Sequence, residues 1–336
     1  MPGVTNNVEI VFNNQNPSGK NITEDTRETS HINQANMKIE SSRRKFLQTA
    51  AISATAIMLP PYARASVSDK MQKNEIKLNQ DPLKIGLMTY NLGKEWDIET
   101  IIKNCTEAEW KSVELRTTHK HGVEVTLSAA QRAEVKKRFK DSALETISLA
   151  SAFQYHSPDQ EEVKKNIVGT KEFIKLAKDV GATGIRVFPN GFTDGADKEK
   201  TMEQIGKALA EVGSYANDFG VEIRVCVHGE GTNSVRVIKR IIDYSQSPYV
   251  YVNWNCDMTD ASGEGLEYNF NLVKDRIKGV HMHDLSDPGY PYRLFFKLLA
   301  ESGYKGYCNA EVEESCEPVT FMKYYRALFL ALQNAI

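Results

Sequence analysis

The sequence has few cysteines, and they lack the close pairing of metal-binding or disulfide-rich proteins. There are five in 336 residues, and no two form a CxxC pair. An odd number with no such pair excludes a disulfide framework. We therefore expect reduced and mostly buried cysteines. Cys226 is the most interesting of them, because histidine follows it two residues later.

The sequence also lacks an excess of charge of one sign and, after residue 65, a long apolar run. The chain has 42 basic and 44 acidic residues and a net charge of −2. Without a basic stripe or an arginine-rich tail, it lacks the positive surface that a phosphate backbone requires. No stretch after residue 65 is both long enough and free enough of proline to cross a membrane as a helix. We therefore expect neither a nucleic-acid partner nor stable membrane insertion.

The N-terminal region carries the three parts of an export signal. Ser42–Gln48 contains paired arginines before Phe-Leu, an apolar stretch follows from Thr49 to Leu59, and Ala63–Ala65 forms an A-x-A cleavage site. Paired arginines in this position predict a twin-arginine signal, whose cargo crosses the membrane already folded. The expected partner is the twin-arginine export machinery, and the expected location in a Gram-negative cell is the periplasm.

The segment before this signal predicts no fold. Residues 1–36 are rich in Asn, Thr and Ser without apolar periodicity, which is typical of disorder. We therefore take Met37 as the expected start of the protein. Residues 1–65 form a disordered leader plus signal, 66–81 a polar linker, and 82–336 the folded domain.

Strand and helix patterns alternate through the folded domain. The strand candidates are Lys84–Tyr90, Ser112–Arg116, Leu144–Ser151, Thr183–Phe188, Val221–Val227, Val250–Asn255, Ile277–Met282 and Tyr307–Val312. Eight strand–helix units over about 250 residues predict a single (β/α)₈ TIM barrel with its active site at the C-terminal ends of the strands. A doubly wound sheet is the competing fold, but no glycine-rich phosphate turn follows the first strand. The third helix is predicted to open at Ser157 as N-cap, with Pro158 at its first position.

Polar residues collect where the strands end. In the fifth strand, Cys226 and His228 alternate with Val225 and Val227, so they share the opposite face. The same alternation, in the last three strands, places these residues on the inner face: Asn255, His281, His283, Asn309, Glu311 and Glu313. Burying such groups for structure alone would cost several kcal/mol. The pattern therefore predicts a solvent-accessible functional pocket.

With these residues the chain resembles the xylose isomerase-like barrels, which include sugar isomerases, epimerases and endonuclease-IV-type proteins. The markers are the segments Val221–Gly229, Val280–Asp284 and Gly306–Glu311, and Lys84–Leu87 is similar to the first strand of the family. The resemblance covers Lys84 to the C-terminus. It implies one divalent ion held by Glu, Asp, His and Glu from strands five to eight. It also implies proton transfer between adjacent sugar carbons through an enediolate.

Two of the four positions depart from that pattern. Cys226 stands at the first glutamate position and Asn255 at the aspartate position, whereas His281 and Glu311 match. These four residues are the expected metal ligands. Without two carboxylates, Mg²⁺ or Mn²⁺ should bind more weakly. Zinc, with His228 as a fourth ligand, stays open as an alternative, and so does a metal-free site in which Cys226 only fills space.

The resemblance implies two glutamates that move the proton, and only Glu311 remains as a base here. With His228 or His281 as the acid, Glu311 would suffice for elimination. Contacts to sugar hydroxyls or to a carboxylate are expected from further residues near the strand ends. These substrate-binding candidates are His119, His121, Glu124, Arg186, Asn190, His283 and Arg293.

Three functions are consistent with this site. The first is an exported sugar isomerase or epimerase that removes a proton next to a carbonyl, and the second is a keto-sugar (3-keto-glycoside) lyase or hydratase. The third is a sugar-binding barrel without catalysis, which the replacements at Cys226 and Asn255 motivate. A DNA-repair nuclease is excluded by the acidic charge and the poor ligand set. The expected partner is a small carbohydrate, and both a monomer and an oligomer fit the sequence.

Overall fold

The computed structural model describes residues 81–334. Within this range the chain forms a closed barrel of eight parallel strands, and eight α-helices follow the strands one by one. The predicted (β/α)₈ fold is therefore confirmed. The predicted leader, the Met37 start, the export signal and almost all of the linker lie outside the described residues.

The strand order in the barrel follows the chain, and β8 pairs with β1 to close it. The strands are β1 (Lys84–Met88), β2 (Ser112–Arg116), β3 (Thr146–Gln154), β4 (Gly184–Phe188), β5 (Glu222–Cys226), β6 (Val250–Trp254), β7 (Ile277–Met282) and β8 (Tyr307–Ala310). The helices are α1 (Ile98–Glu107), α2 (Ala129–Lys140), α3 (Gln160–Val180), α4 (Lys198–Asp218), α5 (Val235–Ser245), α6 (Leu266–Val273), α7 (Tyr292–Glu301) and α8 (Pro318–Leu332). Short 3₁₀ helices span Met258–Ala261 and Lys274–Arg276.

The start of α3 corrects one prediction. Ser157 is not its N-cap; Asp159 is, and its carboxylate accepts a hydrogen bond from the backbone N–H of Glu161 at 3.0 Å. The hydroxyl of Ser157 instead donates to the carboxylate of Glu162 at 2.6 Å. Serine and aspartate both cap well, and the carboxylate stands next to the first turn, where the helix dipole favours negative charge.

The third strand extends beyond its predicted end. It was expected to stop at Ser151, but it continues to Gln154. The pairing between β3 and β4 shifts register between Ala150 and Gln154. Such a bulge interrupts the alternation of faces by which a strand is recognised in a sequence. The extension carries Gln154 to the mouth of the barrel.

The strands of the barrel separate apolar and polar residues onto its two faces. Ile223 and Val225 of β5 are fully buried in the hydrophobic core, whereas Arg224 and Cys226 point to the barrel interior. Four of the cysteines are buried and Cys316 is exposed, and all are free thiols, as expected. Among residues 81–334, no helix is long and apolar enough to span a membrane.

Candidate active site

A cavity of about 450 Å³ opens at the C-terminal ends of the strands. This size suits a small organic ligand. It is lined by Tyr90, Arg116, Ala152, Gln154, Arg186, Phe188, Asn190, Cys226, His228, Asn255, His281 and Glu311. The structure thus brings together the expected ligand set of Cys226, Asn255, His281 and Glu311, and adds His228, Arg186 and Asn190 from the other predicted site residues.

A larger cavity, about 530 Å³, lies at the opposite end of the barrel. Its main charged groups, Glu222 and Arg224, pair with each other at 2.7 Å. In (β/α)₈ barrels the active site lies at the C-terminal ends of the strands. Arg186, whose Nε has no hydrogen-bond partner among the described residues, also lies there. We therefore place the active site in the smaller cavity.

A buried row of three ionisable side chains crosses the floor of this cavity. The ring of His281 lies between two carboxylates, with Nε2 at 2.9 Å from Glu114 and Nδ1 at 3.0 Å from Glu311. Glu114 is completely buried and also accepts a hydrogen bond from the Ser148 hydroxyl at 3.0 Å. Only Glu311 is partly exposed, with 19% of its side chain accessible. Each ring nitrogen thus faces an acceptor, which favours a doubly protonated imidazolium.

The pKa values of the row follow from this geometry. Burial works to lower the pKa of His281, but the charge of Glu114 and hydrogen bonds with Cys226, Glu114 and Glu311 raise it well above its usual value. Burial works to raise the pKa of Glu311, but the hydrogen bond and charge of His281 bring it to about 2. The pKa of Glu114 is also lowered: the charge of His281 outweighs the effect of burial. The row therefore holds one cation between two anions.

His228 stands at the end of β5, exposed to the open cavity. The side-chain amide of Asn190 donates to the Gln154 carbonyl oxygen, which leaves the Asn190 Oδ1 atom to accept from Nδ1 of His228 at 3.2 Å. A neutral ring that donates through Nδ1 carries its lone pair on Nε2. Limited hydration at the cavity mouth, and then the charge of Arg186, lower the pKa of His228. The ring is thus a neutral base near pH 7.

A close approach of two loops holds Asn190 beside His228. Asn190 has a left-handed backbone with φ 61°, and a Cβ on Gly229 would lie 2.6 Å from the backbone nitrogen of Gly191. Only glycine fits at residue 229 without moving the loop after β4. The hydroxyl of Thr232 connects the two loops, since it donates to the His228 carbonyl at 2.6 Å and accepts from the Gly191 N–H at 2.7 Å.

Two arginines, one from β2 and one from β4, also line the cavity. The guanidinium of Arg186 lies 4.0 Å from the centre of the Phe188 ring, and its Nη1 donates to the Ser151 carbonyl at 2.9 Å. Its Nε lies 4.0 Å from Glu114, beyond hydrogen-bond distance, and has no partner among the described residues. Arg116 is half-buried, and its Nη1 donates to the Thr117 carbonyl at 3.3 Å.

Three predicted substrate-binding residues of the second strand's loop do not line the cavity. The Nε2 of His121 lies 2.8 Å from the Arg116 carbonyl, and its Nδ1 accepts from the Val123 N–H at 3.1 Å. The carboxylate of Glu124 accepts from the Thr118 N–H at 2.6 Å. His119 lies 3.3 Å from the Thr89 hydroxyl. These side chains shape the loop that follows Arg116.

His283 and Arg293 also lie outside the cavity lining. The ring nitrogens of His283 face the backbone carbonyls of Glu311 at 3.2 Å and Asn255 at 2.8 Å, so the ring ties three strand ends together. Arg293 is exposed on α7, where it donates to the side chain of Asn334 at 3.0 Å. The helical period turns it away from the barrel mouth.

Glu114, Arg116 and Gln154 were not among the site residues predicted from the sequence. The alternation rule that exposed the polar faces of the later strands applies equally to β2, where Glu114 and Arg116 oppose Val113 and Leu115. A charged pair on one face of a buried strand was therefore a readable signal. Gln154 was hidden because the predicted third strand ended too early.

The residues present do not fit a hard divalent ion such as Mg²⁺ or Mn²⁺. A thiol and an amide, Cys226 and Asn255, replace two carboxylate ligands, and hard cations favour carboxylate oxygen. His281 directs both ring nitrogens at carboxylates, so a metal would have to displace a proton shared with Glu311. Within residues 81–334, no group of three His, Cys, Asp or Glu side chains is arranged to hold a metal ion.

Restoring the two carboxylates is expected to create the metal site. In the double variant Cys226→Glu/Asn255→Asp, affinity for Mn²⁺ should rise at least tenfold, because two anionic oxygen ligands are added beside Glu311. Isothermal titration of Mn²⁺ into both proteins measures this. The variant Cys105→Ser/Asn104→Asp, altered on α1 away from the cavity, is the control. Equal Mn²⁺ affinities in all three proteins would show that these side chains do not occupy the ligand positions.

The fold and the site together define a (β/α)₈ barrel with ionisable residues at the C-terminal ends of its strands. Residues 102–328 match the model of the xylose isomerase-like TIM barrel family, which covers most of the chain. The protein belongs to this family.

Relatives and structural neighbours agree with this assignment. An inosose dehydratase from Clostridium botulinum is 22% identical over 284 residues, which are 70% of this chain and 91% of that protein. The structure of an L-ribulose 3-epimerase aligns with a TM-score of 0.64 at 16% identity and covers 75% of this chain and 95% of its own. A 3-keto-D-glucoside 4-epimerase from E. coli aligns with a TM-score of 0.61 at 14% identity, covering 74% of this chain and 99% of its own.

A further structural neighbour is relevant to whether the site can bind a metal ion. The IolI protein, whose structure contains a bound zinc atom, aligns with a TM-score of 0.61 at 13% identity and covers 74% of this chain and 98% of its own. At this identity the likeness shows a shared fold. The donor set of the present chain is therefore judged on its own residues.

Proposed function

We propose that the protein is a carbohydrate enzyme that removes a proton from a carbon next to a sugar carbonyl, as isomerases and epimerases do. One observation carries the proposal: His228, whose pKa is lowered so that the ring is neutral near pH 7, lines the same cavity as the His281–Glu311 pair. A base on one side and a proton reservoir on the other are what epimerisation through an enolate requires. The relatives named as epimerases support the same chemistry.

The first step uses His228 as the base. Its Nε2 takes the proton from the carbon, and the electron pair of the broken C–H bond moves onto the carbonyl oxygen, which becomes an enolate. The cations of the cavity, Arg186 and the His281 imidazolium, stabilise that developing negative charge. This assignment differs from the sequence-based expectation that Glu311 is the base. Glu311 is a weaker base because its pKa is about 2.

The second step returns a proton to the enolate. A proton held between His281 Nδ1 and Glu311 can pass through the partly exposed Glu311 carboxylate to the opposite face of the carbon. The result is the epimer; His228 then loses its proton to solvent, and the His281–Glu311 pair regains one from solvent. In this proposal the protein's own side chains carry each of these steps, because the donor set does not fit Mg²⁺ or Mn²⁺.

A lyase is the second candidate, and the inosose dehydratases among the sequence relatives favour it. The first step is the same. The enolate then expels a neighbouring hydroxyl, which leaves as water after it takes the proton shared by His281 and Glu311. The product is an unsaturated ketone instead of an epimer.

Solvent-deuterium incorporation tests the proposal and separates its two forms. The purified protein is incubated in D₂O with a panel of ketoses, 3-keto-glycosides and keto-cyclitols, and the products are examined by NMR. Deuterium at the carbon next to the carbonyl with inverted configuration indicates an epimerase, and deuterium-free enone with release of water indicates a lyase. Binding without exchange or elimination across the panel would identify a sugar-binding barrel and refute the proposal.

We also propose that the protein is exported through its twin-arginine segment. The motif at Arg43 and Arg44 and the A-x-A site support this. The expected result of Arg43→Lys/Arg44→Lys is retention in the cytoplasm, measured by cell fractionation and immunoblotting of the full chain. The control is the unaltered chain in the same cells. Equal distribution of both forms would contradict the proposal.

A further inference from the structure

Arg116 and Arg186 occupy equivalent positions on the two strands that flank β3. In the parallel register, Arg116 of β2 and Arg186 of β4 are both partners of Ala150. They therefore lie at the same level of the barrel, about 10 Å apart at the backbone since neighbouring strands are about 4.8 Å apart. Both side chains line the cavity. The small Ala150 between them keeps the space at that level free of a bulky side chain.

The positive charges of the two arginines are incompletely balanced. Arg186 has Glu114 as counter-ion, but at 4.0 Å and without a hydrogen bond. For the Arg116 guanidinium, no carboxylate among the described residues lies within 4.0 Å; its neighbours are the Thr117 carbonyl at 3.3 Å and the Tyr90 ring at 5.8 Å. Two like charges in one cavity repel each other unless an anion lies between them.

The buried state of Arg186 is the second sign of a missing partner. Only 3% of its side chain is exposed, yet its Nε–H finds no acceptor within the described part of the chain. A buried charged donor without a partner costs free energy that a bound acceptor would recover. The guanidinium lies against Phe188, so its N–H edges remain for recognition.

We propose that the substrate is a sugar acid, whose carboxylate binds between Arg116 and Arg186 while its carbonyl end lies beside His228 and His281. This inference rests on the proposed function. The cations His281, Arg186 and Arg116 outnumber the anions Glu114 and Glu311 by one. This single surplus positive charge suits a singly charged carboxylate better than a phosphate dianion. A guanidinium fork pairs with a planar carboxylate through two parallel hydrogen bonds.

Two histidines near the arginines are consistent with a site that attracts an anion. The pKa of His119, which lies behind the cavity lining, is lowered to about 4, by burial and then by the charge of Arg116. The pKa of His228 is lowered by desolvation at the cavity mouth and then by Arg186. Both histidines thus remain neutral, and the positive charge in the cavity is that of the arginines and His281.

Matched sugar pairs test the inference by calorimetric binding to the purified protein. The pairs are D-glucuronate with D-glucose, D-galacturonate with D-galactose, and D-gluconate with D-glucitol. Acetate and inorganic phosphate are the anion controls. At least one acid should bind 10-fold or more tightly than its neutral partner. Arg116→Gln should remove that preference, and Arg116→Lys should restore part of it. Arg138→Gln, altered in an exposed pair on α2, should keep it.

Each other outcome overturns the inference. Equal binding of acids and neutral partners, or absence of acid binding, means that the arginines do not select a carboxylate. Phosphate that competes as strongly as the acids means a general anion site. If Arg116→Gln does not fold, Arg116→Lys and the wild type in added NaCl decide the question: a weakened acid preference in both supports the inference, and an unchanged preference in either overturns it. The deuterium-exchange experiment distinguishes failure of this inference from failure of the proposed function. Binding of an acid without exchange refutes the proposed function alone. Exchange of a neutral ketose without binding of any acid refutes this inference alone.

Discussion

Replacement of His228 by glutamine slows the exchange of the substrate's C–H proton with solvent by roughly 10²–10⁴-fold, if His228 is the base. Glutamine retains a polar group of similar length that can still contact Asn190, but it has no lone pair of comparable basicity at the position of Nε2. Binding of the sugar should change little. The rate is followed as loss of the C–H signal by NMR in D₂O.

His156→Gln is the matched control for this variant. His156 follows β3 and does not line the cavity, so its replacement should leave the exchange rate within about twofold of wild type. If both variants exchange at the wild-type rate, another group removes the proton, and Glu311 becomes the first candidate.

The pH dependence of the exchange rate is a second test of His228 as the base. The neutral form of His228 is the active one, and its pKa lies below the usual value of 6.5. The exchange rate should therefore decline with a midpoint below pH 6.5, where the ring becomes protonated. A decline centred at or above 6.5 would be inconsistent with this environment.

Replacement of Glu114 by glutamine destabilises the barrel by about 3–5 kcal/mol, the usual cost of removing one partner from a buried ion pair. The reason is that His281 and Arg186 lose the carboxylate that lies 2.9 Å and 4.0 Å from them. Both cations would then be buried with only Glu311 nearby. Urea unfolding at pH 7, followed by circular dichroism, measures the change in the free energy of unfolding.

The exposed pair on α2 provides the comparison. In Glu134→Gln, the carboxylate lost lies 3.1 Å from Arg138 but is 58% exposed, and the expected change is at most about 1 kcal/mol. The native pKa of Glu114 is lowered, so its stabilising effect is present above the unfolded value of 4.5 and is lost as the pH falls through the native pKa. The gap between wild type and Glu114→Gln should therefore shrink in acid. Equal effects of the two substitutions would mean that Glu114 is not the counter-ion of a buried cation.

Much of the fold could be predicted from the sequence because the barrel repeats one simple pattern. Strands such as β7 are bounded by changes in hydrophobic periodicity, and Ile277–Met282 has its predicted bounds. The errors lie where two local signals compete. Ser157 and Asp159 are both good N-caps, and the bulge in β3 removes the alternation that would have extended it to Gln154.

The location of the candidate site could be predicted from the sequence, but the hydrogen bonds between its residues could not. Alternation places Cys226, His281 and Glu311 on the inner face, and the structure brings them to one cavity. The hydrogen bonds that decide the state of each group connect distant strands. Glu114 and His281 are 167 residues apart in the chain, and no local pattern pairs them. Arg293 shows the reverse case, since its place beside the strand-seven loop in sequence does not bring it to the cavity.

We propose that the protein's own side chains, with His228 as base, move the proton. The measurement that tests it most directly is the deuterium-exchange rate of one substrate before and after exhaustive chelation, with the residual metal of the same sample quantified by elemental analysis. We predict an unchanged rate in metal-free protein and its loss in His228→Gln. A rate that vanishes on chelation and returns with Mn²⁺ or Zn²⁺ would contradict the account.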